Sequence, residues 1–163
     1  MVAVSNTSPV FNLACIERLI LLHQQFGEVW IPPAVDAELD RIPKDAIRIT
    51  VNEAKRAAWL KVRVAVNTPL IRSLSVDLHK GEAEAIALGL EMNAERLLID
   101  ERDGRLMARQ LGLSVTGVLG VLLRAKHDGH IASVKPEIEA LRAKANFFID
   151  ATLEARILST AGE

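Results

Sequence analysis

The chain has no tyrosine, two tryptophans, four phenylalanines and a single cysteine in 163 residues. One thiol, Cys15, can neither close an intramolecular disulfide nor build a cysteine-ligated zinc site, and in its apolar stretch it reads as a small buried hydrophobe. With aromatics this scarce, stacking of bases on ring faces is not an evident means of recognition. A surplus of either charge is also missing: 20 Lys and Arg face 21 Asp and Glu, a net −1. That balance excludes the broad basic surface of a duplex-DNA binder, while leaving room for a local basic groove beside an acidic pocket. No window approaches the ~18 apolar residues of a membrane-spanning helix. The start carries no basic stretch followed by a long apolar one, so the expectation is a cytoplasmic protein without membrane contact. A Gly-rich phosphate loop, paired His or Cys zinc spacing and a Gly-x-Ser-x-Gly elbow are absent too. His23, His79, His127 and His130 show no ligand-like spacing and read as surface residues.

What is present is material for a core. Half of the residues are hydrophobic, and a chain of this length buries roughly two thirds of its unfolded surface. Val2-Ala3-Val4-Ser5 is a short apolar run of the kind that forms a buried central strand. Ser8 before Pro9 reads as an N-cap with proline at the first helical position, opening a helix that runs to about residue 25, where Gly27 follows. Residues 28–31 predict a second strand. A helix follows the Pro32-Pro33 turn, carries Glu38 and closes at Pro43. A helix over 52–59 and a strand over 60–64 come next, then a loop from 67 to 80. Gly81 opens a helix through Leu90, and 96–99 is a strand ending at Asp100. Further on, the pattern predicts a helix over 102–110, a strand over 113–116, and helices over 117–126, 135–144 and 151–159. Strands alternating with helices through short connections predict a parallel sheet covered on both faces. The expected fold is α/β, a three-layer α/β/α sandwich around a central, mainly parallel sheet of four to five strands. No repeat or linker divides the chain, so 1–163 is expected to be one domain, with C-terminal helices from about residue 135.

In such a sheet, ligands bind beyond the carboxyl ends of the strands. Here those ends carry Ser5-Asn6-Thr7-Ser8 and Asp100-Glu101-Arg102-Asp103, and Glu38 and either Glu82 or Glu84 sit on helices starting near the same edge. Oxygen-rich side chains converging on one edge suit Mg²⁺ or Mn²⁺, which neutralise phosphate charge and activate water. Each acid has a plainer role available. Asp100 can cap the helix beginning near Arg102, Asp103 can complement a helix dipole, and Ser8 can cap the first helix. Arg102, Arg105 and Arg109 fall on one helical face, able to hold RNA phosphates or simply to meet solvent. The apolar helix near 118–123 and Phe147-Phe148-Ile149 are material for a dimer interface, a partner groove or the core.

Four segments together resemble the PIN-domain superfamily: Ser5-Asn6-Thr7-Ser8-Pro9, Ile31-Pro32-Pro33-Ala34-Val35 before Glu38, Gly81-Glu82-Ala83-Glu84-Ala85-Ile86, and Leu98-Ile99-Asp100-Glu101-Arg102. The nearest likeness is to a prokaryotic PIN-like group of poorly assigned function, similar to the VapC toxins of toxin–antitoxin pairs, and it extends to about residue 145. The resemblance implies a metal-dependent, single-strand-specific ribonuclease, usually a homodimer and often held inactive by a small antitoxin. Matched onto this chain, the family's second acid falls at Glu38, its fourth at Asp100, and a further acid at Asp103. The third precedes Ala-x-Ile-Ala, which favours Glu84. Periodicity does not choose, because Glu82 and Glu84 each lie roughly 90–110° from the centre of the apolar face. The departure is at Asn6, where the family carries Asp. An amide binds a cation through its carbonyl oxygen but brings no charge, which opens a second reading: a PIN-like module with weakened catalysis that binds RNA or protein. A phosphatase or receiver domain would need an acid at that same place.

Overall fold

The computed structural model describes residues 1–163. Strand β1 (Val2–Ser5) is followed by helices α1 (Thr7–Cys15) and α2 (Ile20–Phe26), and β2 (Glu28–Ile31) by α3 (Pro33–Asp40) and α4 (Asp45–Arg56). Then come β3 (Leu60–Val62), α5 (Thr68–Leu74), α6 (Lys80–Glu91), β4 (Arg96–Leu98), α7 (Arg102–Gln110) and β5 (Val115–Thr116). Three helices end the chain: α8 (Val118–His127), α9 (Lys135–Ala145) and α10 (Ala151–Ala161). The five strands form one sheet in the order β3-β2-β1-β4-β5, every pairing parallel. The predicted α/β/α sandwich is therefore the observed architecture. No helix is long and apolar enough to cross a membrane.

Alternation along the strands sorts the core into two halves, because successive side chains point to opposite faces. Ala3, Val29, Ile31, Leu60 and Leu98 face the larger core, built with α1, α2, α3, α4, α8 and α9. Val4, Leu97 and Ile99 face the other, built with α5, α6, α7 and Leu113. Burial on both faces is why β1 and β4 read as unbroken apolar runs.

The helices depart from the sequence reading at four places. Helix α1 starts two residues early, at Thr7, so Asn6 occupies the cap position and Ser8 lies within the first turn. Pro9 is tolerated there because the first turn has no intrahelical partner for its missing N–H. The predicted helix to residue 25 breaks at Glu17, which takes a left-handed φ of 59°. The turn lets Ile16 and Leu19 both enter the core. It also aims Arg18 at Glu137 of α9, where the guanidinium donates three hydrogen bonds of 2.8–3.2 Å. The expected loop at 67–80 contains α5, capped by Asn67, whose side chain accepts from Leu70 N at 3.1 Å. Helix α4 also begins earlier than predicted, at Asp45.

Candidate active site

Strand order reverses direction between β1 and β4, so the crevice beyond their carboxyl ends is the topological switch point of the sheet, where such folds place ligands. Asn6 N donates to Leu98 O at 2.9 Å, stitching the two strand ends together. The cap and first turn of α1 deliver Asn6, Thr7 and Ser8, and the turn after β4 delivers Glu101. Helix α3 delivers Glu38, while the start of α6 delivers His79, Lys80 and Glu82. These eight residues line a pocket of about 410 Å³ with no hydrophobic side chain on its wall. Larger, more apolar cavities exist elsewhere; the carboxylates gather here and along the adjoining rim of Asp77, Glu82, Glu101 and Asp103.

Neutral donors hold the carboxylates in place. Thr7 Oγ donates to Glu38 Oε2 at 2.6 Å. Asn6 Nδ2 donates to Glu101 Oε2 at 3.0 Å, and Ser8 Oγ donates to Glu101 Oε1. His79 Nδ1 lies 2.9 Å from Glu82 Oε1. Burial raises the Glu82 carboxyl above the usual range, the His79 bond opposes this, and the nearby charges of Glu101 and Asp103 add to it. The same bond to Glu82, with the negative charge around it, raises the His79 imidazole. His79 is a surface residue, as its sequence context suggested, with a side chain 92% exposed. Its contact to Glu82 spans three positions, from the cap to the first turn of α6, the i,i+3 spacing of helical neighbours.

The sequence-selected residues divide. Asn6 and Glu38 line the pocket, with Ser8 beside them. Asp103 and Arg102 are exposed at an adjoining rim shared with His79, Glu82 and Glu101. Glu84 is not in the pocket: Glu82 is, because α6 turns Glu84 toward α3, where its Oε2 accepts from Ala34 N at 2.9 Å. Glu84 thereby satisfies an open N–H of the helix that carries Glu38. Asp100 is turned away as well. Its Oδ1 accepts from Val118 N at 2.8 Å at the start of α8, and its Oδ2 is buried without a partner. Burial raises Asp100 to about 6, against the lowering effect of the Val118 N–H. The next residue, Glu101, takes the pocket position. Arg105 donates to Ile99 O at 2.9 Å beside Asp100, and burial lowers its pKa, so it faces inward instead of sharing a free surface with Arg102 and Arg109.

Apart from His79 and Lys80, every side chain on the wall offers an oxygen, which suits a hard divalent cation. A cradle for one exists at Gly81: a Cβ there would lie 2.6 Å from Glu38 Oε1 and 3.3 Å from Asn6 Oδ1. The absence of that carbon leaves both oxygens facing one open point. The acids surround this space without closing on it, and no three His, Cys, Asp or Glu side chains are gathered into a finished metal cage. The residues fit a hard cation in kind, with their oxygens arranged around one space.

A family model described as "DUF3368: PIN domain" matches residues 2–163. Among solved structures, the chain is similar to a PilT N-terminus domain protein from the hyperthermophilic archaeon Sulfolobus solfataricus P2, with a TM-score of 0.50 and 19% identity over 77% of this chain and 93% of that one. At that identity the likeness concerns the fold. No curated protein matches the chain. PIN domains are in general nucleases that use divalent metal ions, and an all-parallel sheet with polar and acidic residues at its switch point is the arrangement such chemistry needs. With its model matched over nearly every residue, the chain belongs to the PIN-domain family.

Proposed function

We propose that the protein is a Mg²⁺- or Mn²⁺-dependent endoribonuclease that cleaves single-stranded RNA. The observation that carries the reading is the pocket at the β1–β4 crevice, whose wall is wholly polar and holds Glu38, Glu82 and Glu101 around Asn6. These three carboxylates and the Asn6 carbonyl oxygen would hold the ion, with Asp103 adding negative charge at the rim. When bound, such an ion neutralises phosphate charge and lowers the pKa of a water molecule. The protein's own groups do the rest. Thr7 and Ser8 fix the Glu38 and Glu101 carboxylates, and His79 fixes Glu82. Lys80 and Arg102, both exposed at the pocket edge, meet the RNA phosphates. Asp100 and Glu84 support this set indirectly, by holding α8 and α3.

Within this reading the protein acts in the cytoplasm, as a homodimer, and is the toxin of a toxin–antitoxin pair restrained by an antitoxin protein. Phe148, 86% exposed beside the apolar cavity between α8 and α10, supports a buried interface in the assembled state. The test is calorimetric titration of Mn²⁺ and Mg²⁺ into the wild type, Glu82→Ala and Asp100→Ala, followed by cleavage assays on unstructured RNA. The proposal expects binding that Glu82→Ala abolishes. A folded wild type that binds neither ion at millimolar concentration would leave the RNA- or protein-binding module as the function.

A further inference from the structure

Asn6 stands where the family resemblance expects an acid, but its surroundings suit an amide. It is 3% exposed, so its partners are protein groups and not solvent. Its Nδ2 donates to Glu101 Oε2 at 3.0 Å, while Ser8 Oγ donates to the other oxygen of the same carboxylate. Both oxygens of Glu101 are thus taken by donors from a single loop, and Asn6 Oδ1 faces the open point at Gly81. The amide cannot turn over without setting its own oxygen against Glu101, two acceptors at hydrogen-bond distance with no proton between them. A carboxylate at position 6 would meet the same conflict in every rotation, with full charge added.

We infer that Asn6 is a positioning residue matched to Glu101: it is the donor that holds the Glu101 carboxylate in the pocket. The site is then built on three carboxylates and one amide, and is not a four-acid site that has lost a charge. This deepens the nuclease reading by assigning the role of Asn6, and it rests on that reading only for the metal. It makes a reciprocal exchange the telling perturbation. In N6D/E101Q the carboxylate moves to position 6 and the amide to position 101. One donor still faces one acceptor, Ser8 still has an oxygen to donate to, and the formal charge of the pocket is unchanged.

The experiment is thermal melting of wild type, N6D, E101Q and N6D/E101Q, first in chelator and then in millimolar Mn²⁺. In chelator, N6D should melt roughly 5–10 °C below wild type, the range expected for repulsion and a lost hydrogen bond in a buried pair. The double variant should recover most of that loss. Added Mn²⁺ should raise the N6D melting temperature at least twice as far as that of wild type, because an ion relieves the repulsion; a packing defect would give no such excess. If N6D does not fold at all, folding of the double variant is the same rescue. The inference is overturned if N6D melts with wild type in chelator, or if the double variant melts no higher than N6D. If wild type shows no response to Mn²⁺ while the exchange still rescues N6D in chelator, the metal reading falls and the pairing stands. The reverse result removes the pairing and leaves the metal reading intact.

Discussion

Gly81→Ala should separate function from stability more cleanly than removal of any ligand. Gly81 is the second residue of α6 and has an ordinary backbone there, so alanine is welcome in the helix itself. That exchange gains up to about 1 kcal/mol in a helix interior, and less in a first turn. The new Cβ would meet Glu38 Oε1 at 2.6 Å and Asn6 Oδ1 at 3.3 Å. The closer contact is roughly an ångström inside normal van der Waals distance, so the Glu38 carboxylate must withdraw. It sits at the end of a flexible side chain on another helix, so the movement costs little beyond its 2.6 Å bond from Thr7, worth about 1 kcal/mol. Gain and loss nearly cancel, and the melting temperature should stay within roughly 3 °C of wild type. The cation cradle is filled, however, and its Glu38 ligand displaced. Mn²⁺ affinity should fall by about 10–100-fold, the scale seen when ligand positioning fails, with RNA cleavage falling in parallel. Calorimetry and a thermal melt on one preparation decide the matter. Wild-type Mn²⁺ affinity in a folded G81A protein would refute the cradle, and a loss of more than about 2 kcal/mol would refute the claim that Glu38 can move aside.

Gly117→Ala should behave in the opposite way, because its Cβ would lie 2.5 Å from Asp100 Oδ1 and 2.8 Å from Arg105 Nη1, both held by backbone bonds; a loss of about 2–3 kcal/mol in urea unfolding is expected. Asp100 itself makes stability depend on pH. Its folded pKa, about 6, lies above the ordinary 3.8, so the folded state holds the proton more tightly and stability falls as pH rises from about 4 through 6. The span is roughly 3 kcal/mol, and urea melts of Asp100→Asn against wild type at pH 4.5 and 7.5 should show the difference closing in favour of the variant at the higher pH. Glu84→Ala should cost about 1 kcal/mol through the lost Ala34 bond while leaving Mn²⁺ binding near wild type, whereas Glu82→Ala should abolish binding; equal binding losses in the two would show that Glu84 acts in the pocket.

The sheet was legible because parallel strands buried on both faces leave continuous apolar runs, and each of the five was found to within two residues at either end. Helix α5 falls in the stretch expected as a loop because its sequence has little apolar periodicity and only Leu74 is buried. For the site, the switch-point edge and the residues Asn6 and Glu38 came from motif and topology. The choice between Glu82 and Glu84, and the placing of Glu101 in the pocket where the motif pointed to Asp100, turned on how neighbouring helix starts recruit acids. Ala34 N claims Glu84 and Val118 N claims Asp100. Those competing donors lie 50 and 18 positions away in sequence, beyond any local pattern.

Helix α10 has no buried residue of its own. Polar ties do much of the holding: Asp150 caps its start, Arg142 pairs with Glu154, and Glu163 beyond its end accepts from Val134 N and Lys135 N at the start of α9. Its apolar contacts to the larger core, through Leu153, Ile157, Leu158 and Ala161, are only partly buried, so α10 is expected to detach at lower cost than the sheet or either core unfolds. Its amides should therefore exchange faster than those of the sheet, and its release would uncover the wall formed by Leu119, Leu123 and Phe147. The last helix of the polypeptide is thus a cover whose hold rests on a few carboxylate contacts and half-buried side chains instead of on the stability of the whole.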